Sequence, residues 1–359
     1  MSSKSVEDPL TESGELEASA FGSSQSGNAP TPSADGRRAL VAIFSPVVAA
    51  LVALQCHLIL PNGPDLPKTW MEAFPAWQHP YPVVLQGFGT FAIFLTLLYG
   101  VWSPSRPYLH HHAPLLAGAI GLLCAWDLAT QKLDLLPLPY FPGPNLVFGG
   151  TLDDRGFIFE SLKASLQLLC SGYCAGVFAG VFTGVVIGWF PNVRYWGMPI
   201  LKLIGPLPAT ALVPAVMMLS NESFIPGTAL IAFAVWFPVT MLTASGIANV
   251  RLSHLEVAKT LGAGQWYLIF HVAIPSALPN IFIGLFMGLG ASFLTLVVAE
   301  TVGVQAGLGW YVGWRKSNMD YAGMYGALML MAFVFSGLMT LLFKTRDWVL
   351  TWQKGVIKW

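Results

Sequence analysis

The sequence predicts an all-α fold, a polytopic membrane helix bundle with about eight transmembrane helices. Hydrophobic residues make up 55% of the chain and charged residues only 10%, whereas soluble domains carry about 25% charged residues. The mean hydropathy is +0.62, as is typical of a membrane protein. The formal net charge is +0, so no overall basic field would attract nucleic acid, and we expect no such partner.

Each predicted span is an apolar stretch close to the roughly 20 residues that a helix needs to cross a bilayer. Inside lipid every backbone amide must find an internal hydrogen bond, so these stretches are predicted to be helical. The predicted spans cover residues 40–60, 83–102, 113–129, 161–189, 197–219, 226–247, 275–299 and 321–343.

Residues 1–36 precede the first span and are predicted to be a disordered cytoplasmic tail. They are rich in Ser, Gly, Pro and acidic residues, and they have too little apolar surface to offset the entropy of ordering. Alternating the spans from this tail places most of the Lys and Arg residues of the loops on the cytoplasmic side, as the positive-inside rule requires. Both termini and the loop 248–273 are therefore predicted to be cytoplasmic.

The span 161–189 carries a glycine at every fourth position, which places these glycines on one face of a helix. Small residues at this spacing let another helix approach closely. The pattern predicts helix packing, with a moving interface or a pore wall as alternatives. The stripe consists of Gly172, Gly176, Gly180, Gly184 and Gly188.

A short helix is predicted within the cytoplasmic loop 248–273. Ser253 and Glu256 have the spacing of a capping box, in which each side chain bonds an amide at the helix start. Gly262 is expected to end the helix in the left-handed conformation. A helix of about two turns is marginal alone, so we expect this segment to dock onto another structure.

The same loop resembles the signature of the binding-protein-dependent ABC transporter permeases. That signature is Glu-Ala-Ala, three residues, Gly, nine residues, Ile, one residue and Leu-Pro. The sequence aligns with it in register at Glu256, Val257, Ala258, Gly262, Val272, Ile274 and Pro275. Val257, Val272 and Ile274 depart from the signature but keep its apolar character.

The resemblance extends from about residue 115 to the C-terminus and is closest to the nitrate, sulfonate, taurine and bicarbonate branch. It includes the proline-rich stretch 136–144, the segments 161–166 and 206–214, and Glu300 with the Gly-Leu-Gly sequence at 307–309. It implies a six-helix permease core over residues 113–359. Residues 37–112 would hold two additional spans.

The resemblance implies an inner-membrane transporter subunit and not an enzyme. Such a permease pairs with a second copy or a paralogue, receives a small oxyanion from a periplasmic binding protein, and works by alternating access. A separate ABC ATPase would use the ATP. Consistent with this, the chain has no G-x-x-x-x-G-K-[ST] phosphate loop, and we expect it to bind no cofactor itself.

In that family the cytoplasmic loop forms a coupling helix that sits in a groove of the ATPase, and the resemblance implies the same role for residues 253–262. Glu256 would cap and orient the helix and Gly262 would permit its turn. The apolar contacts would come from Leu255, Ala258 and Leu261.

Two other classes of protein remain open. A secondary transporter or channel would need intramembrane charges, and the candidates Asp127, Lys163, Lys202 and Glu300 all lie near predicted span ends. A membrane enzyme would need a catalytic site, but consecutive histidines such as His110, His111 and His112 cannot all face one metal on a helix, so no metal is expected.

Loop charges on the outer side could dock a binding protein: Asp153, Asp154, Arg155, Glu222, Arg315, Lys316 and Asp320.

Overall fold

The computed structural model describes residues 32–61, 80–101, 106–133, 135–136, 138–205, 207–218 and 224–353. Throughout these ranges the chain forms helices and turns and no strand, which confirms the predicted all-α fold. Residues 1–31 of the predicted tail lie outside the described residues. Residues 32–36 are helical instead of disordered, because Pro32 suits a first helical turn and extending an existing helix costs little.

The helices are α1 (Pro32–Ile59), α2 (Pro80–Val101), α3 (Arg106–Asp127), α4 (Pro144–Asp153), α5 (Arg155–Trp189), α6 (Pro191–Ile204), α7 (Val213–Met217), α8 (Phe224–Ala248), α9 (Leu252–Thr260), α10 (Gln265–Tyr267), α11 (Ile274–Val302), α12 (Leu308–Ser317) and α13 (Tyr321–Val349). A π-helical turn, Leu128–Lys132, continues α3. A second one, Leu268–Ala273, joins α10 to α11, so Gln265–Val302 is one continuous helix.

Seven helices of the described residues are long and apolar enough to cross a membrane. The predicted span 197–219 is the exception, because α6 and the pair formed by the 3-10 helix Ala209–Leu212 and α7 are bent by 73°. The predicted span is thus two helical segments and not one straight helix. Pro208 and Pro214 lack an amide donor and disfavour the helical conformation of the residue before them, while Pro206 lies outside the described residues.

The chain divides into two compact units. The first is Met1–Leu60 with Pro82–Ala125, and the second is Pro61–Tyr81 with Trp126–Trp359. In the first unit α1 and α2 approach closely where Ala50 faces Gly89, since a Cβ added at Gly89 would lie 3.6 Å from that of Ala50. The second unit holds the loop 248–273 and is described below.

The core of the second unit is the pair α5 and α8. All the glycines of the stripe are buried, and a Cβ on any of them would come within 2.6–2.8 Å of a β-carbon of α8. The partners follow in order along the chain: Ile231, Val235, Val239, Thr243 and Ile247. Because the partner number rises with the glycine number, α5 and α8 are parallel.

This parallel pairing determines the path of the chain between the two helices. From Gly172 to Gly188 the helix rises by roughly 24 Å, at about 1.5 Å per residue, and α8 starts again near the level of Gly172, where Thr228 lies. The segment 190–223 must therefore return across most of the bilayer. Counted as one broken span, the bent pair α6 and α7 brings the candidate crossings among the described residues to 8.

Within the second unit, α11 runs antiparallel to α5 and α8, and α13 runs antiparallel to α11. Gly246 of α8 lies against Ala277, whereas Gly288 of α11 lies against Val235. The α11 and α13 contacts run in reverse order along the two helices, with Phe286 against Phe343 and Phe293 against Phe335. One surface of the second unit, here called the α9 face, thus contains α9 and the C-terminal ends of α5, α8 and α13. The opposite surface, the α12 face, contains α4 and α12.

Candidate functional site

The candidate coupling site is α9 with the turn that follows it. None of its residues is buried, and its most exposed apolar side chains are Leu252 (72%), Val257 (60%) and Leu261 (83%). Leu255 and Ala258, predicted to dock with a partner, are instead half-buried because they lie on the side of the helix that faces the protein. The exposed apolar set is therefore partly different from the set named from the sequence.

The predicted capping box was wrong. The helix begins at Leu252 with Arg251 as its N-cap, and no side chain caps it. Ser253 is already helical at the second position, whereas a capping Ser must have a non-helical backbone for its hydroxyl to reach the amide two or three residues on. Glu256 is exposed in the second turn.

The end of α9 has the predicted left-handed glycine. Gly262 has a φ of +85°, and its N–H donates to the carbonyl of Lys259 (2.9 Å). The N–H of Ala263 donates to the carbonyl of Ala258 (3.0 Å). This pair of bonds is the Schellman motif, which satisfies the last carbonyls of a helix. Gly262 is thus needed for its backbone conformation, since a Cβ there would meet nothing within 4 Å.

The rest of the signature lies where the loop enters the membrane helix. Val272 belongs to the π-helical turn, and Ile274 and Pro275 are the first residues of α11. Ile274 packs on a buried cluster with Ile247 of α8 and Ala277 of α11. The helix is continuous from Gln265 to Val302, and the short turn 261–264 joins it to α9.

The two faces of the second unit differ in charge. Among the described residues the α9 face carries Arg194, Lys202, Arg251, Lys259, Lys344 and Arg346, with Glu256 and Asp347. The α12 face carries Asp153, Asp154, Glu160 and Asp320, with Arg155, Lys163, Arg315 and Lys316. Cations are thus in excess on the α9 face, in the pattern of the positive-inside rule. Lys354 and Lys358 lie outside the described residues.

A buried carboxylate joins three helices at the α12 face. Glu300 of α11 is 1% exposed; its Oε1 accepts a hydrogen bond from Ser165 Oγ of α5 (2.6 Å), and its Oε2 accepts one from the N–H of Gly309 in α12 (2.7 Å). Ser165 Oγ in turn accepts from the N–H of Leu308 (2.8 Å). We call Ser165, Glu300, Leu308 and Gly309 the Glu300 clamp.

The glycines of the Gly-Leu-Gly sequence make room for this carboxylate. Gly307 has a φ of +99°, and a Cβ there would overlap the carboxylate of Glu300. A Cβ on Gly309 would lie 2.9 Å from Glu300 Oε2. The sequence placed Glu300 at the end of a span but missed its contact with α12. An acidic residue that ends an apolar helix just before a glycine-rich turn was the available signal.

An ionic cluster fixes the body of α12. Arg315 pairs with Asp154 and with Asp320, the latter at 2.5 Å, and its Nε donates to Tyr311 Oη (3.0 Å). Tyr311 Oη donates to Asp154 Oδ2 (2.7 Å). Burial raises the pKa of Tyr311 to about 12, so the phenol stays protonated at neutral pH and can donate this bond.

The ionic cluster revises the predicted outer docking charges. Asp154, Arg315 and Asp320 bond to one another or to Tyr311, and Asp320 Oδ1 also caps α13 by accepting from the N–H of Gly323 (3.1 Å). These side chains are therefore used within the protein. Asp153, Arg155 and Lys316 are exposed, and Glu222 lies outside the described residues.

The intramembrane charges also separate into two kinds. Lys163 and Lys202 are exposed on helix surfaces, where their long side chains can reach the interface. Asp127 and Glu300 are buried. Glu300 is held by the clamp and Asp127 lies beside the π-helical turn that ends α3.

Comparisons with known proteins cover both the coupling site and Glu300. Residues 176–350 match the family model described as "Binding-protein-dependent transport system inner membrane component". The taurine transport system permease protein of Escherichia coli K12 is 32% identical over 213 residues, 57% of this chain and 77% of that protein. The putative aliphatic sulfonates transport permease protein of the same organism is 30% identical over 214 residues, 58% of this chain and 79% of that protein.

A more distant relative carries a different name. The formylaminopyrimidine transport permease protein of Halalkalibacterium halodurans is 22% identical over 235 residues, 65% of this chain and 93% of that protein. The matched family model begins within the glycine stripe and ends just beyond α13. It leaves out α1 to α4 and the first part of α5.

Proposed function

This chain belongs to the binding-protein-dependent transport system inner membrane components, the permeases of ABC transporters, and from that membership we propose that it moves a small oxyanion into the cytoplasm when a separate ATPase hydrolyses ATP. It is a multi-pass transporter subunit and not itself an enzyme. In this proposal the ATPase binds ATP and a periplasmic binding protein supplies the substrate. A second permease, a copy or a paralogue, completes the pathway.

The observation that carries the proposal is the exposed helix α9. A helix of nine residues is marginal unless it packs on something, and Leu252, Val257 and Leu261 present apolar surface to solvent. These side chains are available for contact with another protein. We assign Val257 and Leu261 to the contact with the ATPase, while Leu255 and Ala258 hold α9 against its own bundle.

Movement of the ATPase would pass into the membrane helices through the continuous helix Gln265–Val302, which follows α9 in the chain. Closure of the ATPase subunits would push α9, and Ile274 and Pro275 would pass the push into α11 because no break interrupts Gln265–Val302. The close parallel pair α5 and α8 would move as one body, since the glycine stripe leaves no room for sliding. Such rigid-body movement would let the paired permeases alternate between outward-open and inward-open states.

The membrane orientation in this proposal puts the α9 face in the cytoplasm and the α12 face outside. The excess of Lys and Arg on the α9 face supports it. With 8 crossings, both termini would then be cytoplasmic. Residues 1–36 would be a tail, and α1 and α2 would be spans added to the six-helix core.

Cysteine labelling tests this orientation. In a background without the 4 native cysteines, we expect Ser317→Cys to react with a membrane-impermeant maleimide added to cells with a permeabilised outer membrane. Lys259→Cys should react only after the inner membrane is opened. Both positions are exposed, so burial cannot explain a difference. The reverse pattern would remove α9 from the cytoplasm and contradict the coupling role.

The coupling contact is tested by placing a charge in it. Val257→Glu and Leu261→Glu should each lower the affinity for the ATPase roughly 100-fold or more, because an unpaired charge buried in an interface costs several kcal/mol. The measurement is the amount of ATPase that co-purifies with a tagged permease. Ser317→Glu, on the α12 face, is the control and should change nothing.

A double replacement of Glu256 and Gly262 by alanine tests the geometry of α9 in the same assay, because Ala disfavours the left-handed backbone by about 1–2 kcal/mol. Association and uptake that survive all these changes would refute the coupling role. Uptake that needs no ATPase at all would favour a secondary transporter instead.

The substrate class rests on the names of the relatives. Two of them are named for taurine and aliphatic sulfonates, which carry a sulfonate oxyanion, and a more distant one is named for formylaminopyrimidine. We therefore place a sulfonate first and other small oxyanions second. Taurine is the first probe for uptake, with nitrate and bicarbonate next. Lack of uptake of every oxyanion by an assembled, ATP-hydrolysing complex would reject this class.

A further inference from the structure

A non-helical segment joins α11 to α12. Residues 303–307 are not helical, and they include Gly303 and Gly307, which allow many backbone conformations. α12 would be free to move independently of α11 if only this segment joined them. The Glu300 clamp bridges the gap, because Glu300 lies before the segment and Gly309 after it.

The chemistry of the clamp favours a persistent contact. Both oxygens of the Glu300 carboxyl group have a donor, Ser165 Oγ at 2.6 Å and the Gly309 N–H at 2.7 Å, so neither buried oxygen is left without a hydrogen-bond partner. The amides at the start of α12 carry the positive end of the helix dipole, which favours an anion there. Leu308 and Gly309 each donate an amide that the helix itself cannot satisfy.

Packing around the clamp keeps α12 in one orientation. Leu308 and Tyr311 are 2% and 0% exposed and share a cluster with Ile158 of α5 and Met331 of α13. On the other side of the segment, Gly303 lies so close to α7 that a Cβ there would be 2.5 Å from Met217. The end of the broken span therefore packs on the same joint.

We propose that Glu300 is a positioning residue that locks α12 to the end of α11, so that a displacement begun at α9 moves α12 at the outer surface as part of the same rigid body. The source of the displacement rests on the proposed function. The lock itself depends only on contacts within this chain. Ser165 is its second component, because its hydroxyl links Glu300 to the amide of Leu308.

Two substitutions are expected to weaken the contact between α12 and the end of α11, each by removing different hydrogen bonds. Glu300→Gln keeps the shape of the side chain but offers one acceptor oxygen to two donors, so one buried donor loses its partner. Ser165→Ala leaves the Leu308 amide and Glu300 Oε1 without the bridging hydroxyl. The matched control is Ser292→Ala, because Ser292 is also buried but its hydroxyl bonds only to the carbonyl of Leu289 in its own helix (2.7 Å).

The experiment measures the distance between spin labels on α11 and α12. Labels at Leu294→Cys and Ser317→Cys, both exposed, are placed in a full-length chain without native cysteines, reconstituted in lipid with its ATPase. The reference chain and the Ser292→Ala chain should give one narrow distance distribution, unchanged by a non-hydrolysable ATP analogue. Ser165→Ala and Glu300→Gln should broaden it.

The amount of substrate taken up per ATP hydrolysed is the second measurement. This ratio would not change if Glu300 served only the folding of the chain. We expect uptake per ATP hydrolysed to fall about tenfold in Glu300→Gln, the factor that corresponds to leaving one buried donor without a partner, with ATPase association retained. A distribution that stays narrow in both clamp variants, or one that shifts with nucleotide in the reference chain, overturns the proposal. Failure of the proposed coupling would instead appear as a reference chain that binds no ATPase, and the distances in lipid alone would still test the lock.

Discussion

Gly176→Val should abolish the folded bundle or reduce it to a small fraction of the protein made. A Cβ at this position would lie 2.6 Å from the carbonyl oxygen of Ala232 and 2.7 Å from the Cβ of Val235. Two parallel backbones would have to separate, and overpacking of a close interface costs on the order of 3 kcal/mol or more. The measurement is the yield and melting temperature of the detergent-purified permease.

Gly156→Ala is the control for this prediction. Gly156 lies in the same helix α5, but a Cβ there meets nothing within 4 Å. The substitution should leave the yield unchanged, since alanine is the better helix former by up to about 1 kcal/mol. A Gly176→Val protein as stable as this control would mean that α5 and α8 do not pack through the stripe.

Gly307→Val should have the second largest effect. Its φ of +99° with a ψ of 173° is a region that only glycine adopts readily, and other residues there cost about 1–3 kcal/mol. The added side chain would also overlap the carboxylate of Glu300, so the carboxylate must leave its donors. We expect loss of uptake together with a lower melting temperature.

Gly290→Ala is the matched substitution for Gly307→Val. Gly290 lies within α11 and a Cβ there meets nothing within 4 Å, so this variant should resemble the unsubstituted chain in both assays. If Gly307→Val transports as well as Gly290→Ala, the joint between α11 and α12 does not have the geometry described above.

Local sequence patterns were sufficient to predict much of the helix bundle. Hydropathy over some 20 residues identifies a span because lipid forces any such stretch to satisfy its own amides, and seven of the predicted spans correspond to helices. The same is true of Gly262, whose left-handed conformation follows from its position just after a short helix. The N-terminal boundary of α9 was less predictable, because Ser253 is compatible with either the cap or the second helical position.

Contacts between residues far apart in the sequence could not be predicted from local patterns. Ser165 and Glu300 are 135 residues apart, and no local pattern pairs them. The half-buried state of Leu255 and Ala258 depends on where α9 rests on its own bundle. The exposure of Leu252 and Val257 on α9 could therefore be recognised only in the folded chain.

The sequence by itself determined that the chain is a helical membrane protein, which segments cross, where the short helix α9 ends, and that α5 has a face of glycines. These properties depend on residues within a few turns of each other. The tertiary structure alone decided that the span predicted at 197–219 is bent between α6 and α7 and that α8 runs parallel to α5, because both depend on packing between separate segments. It also decided that Glu300 is buried against α12, since a carboxylate can lie there only when donors from two other helices meet it.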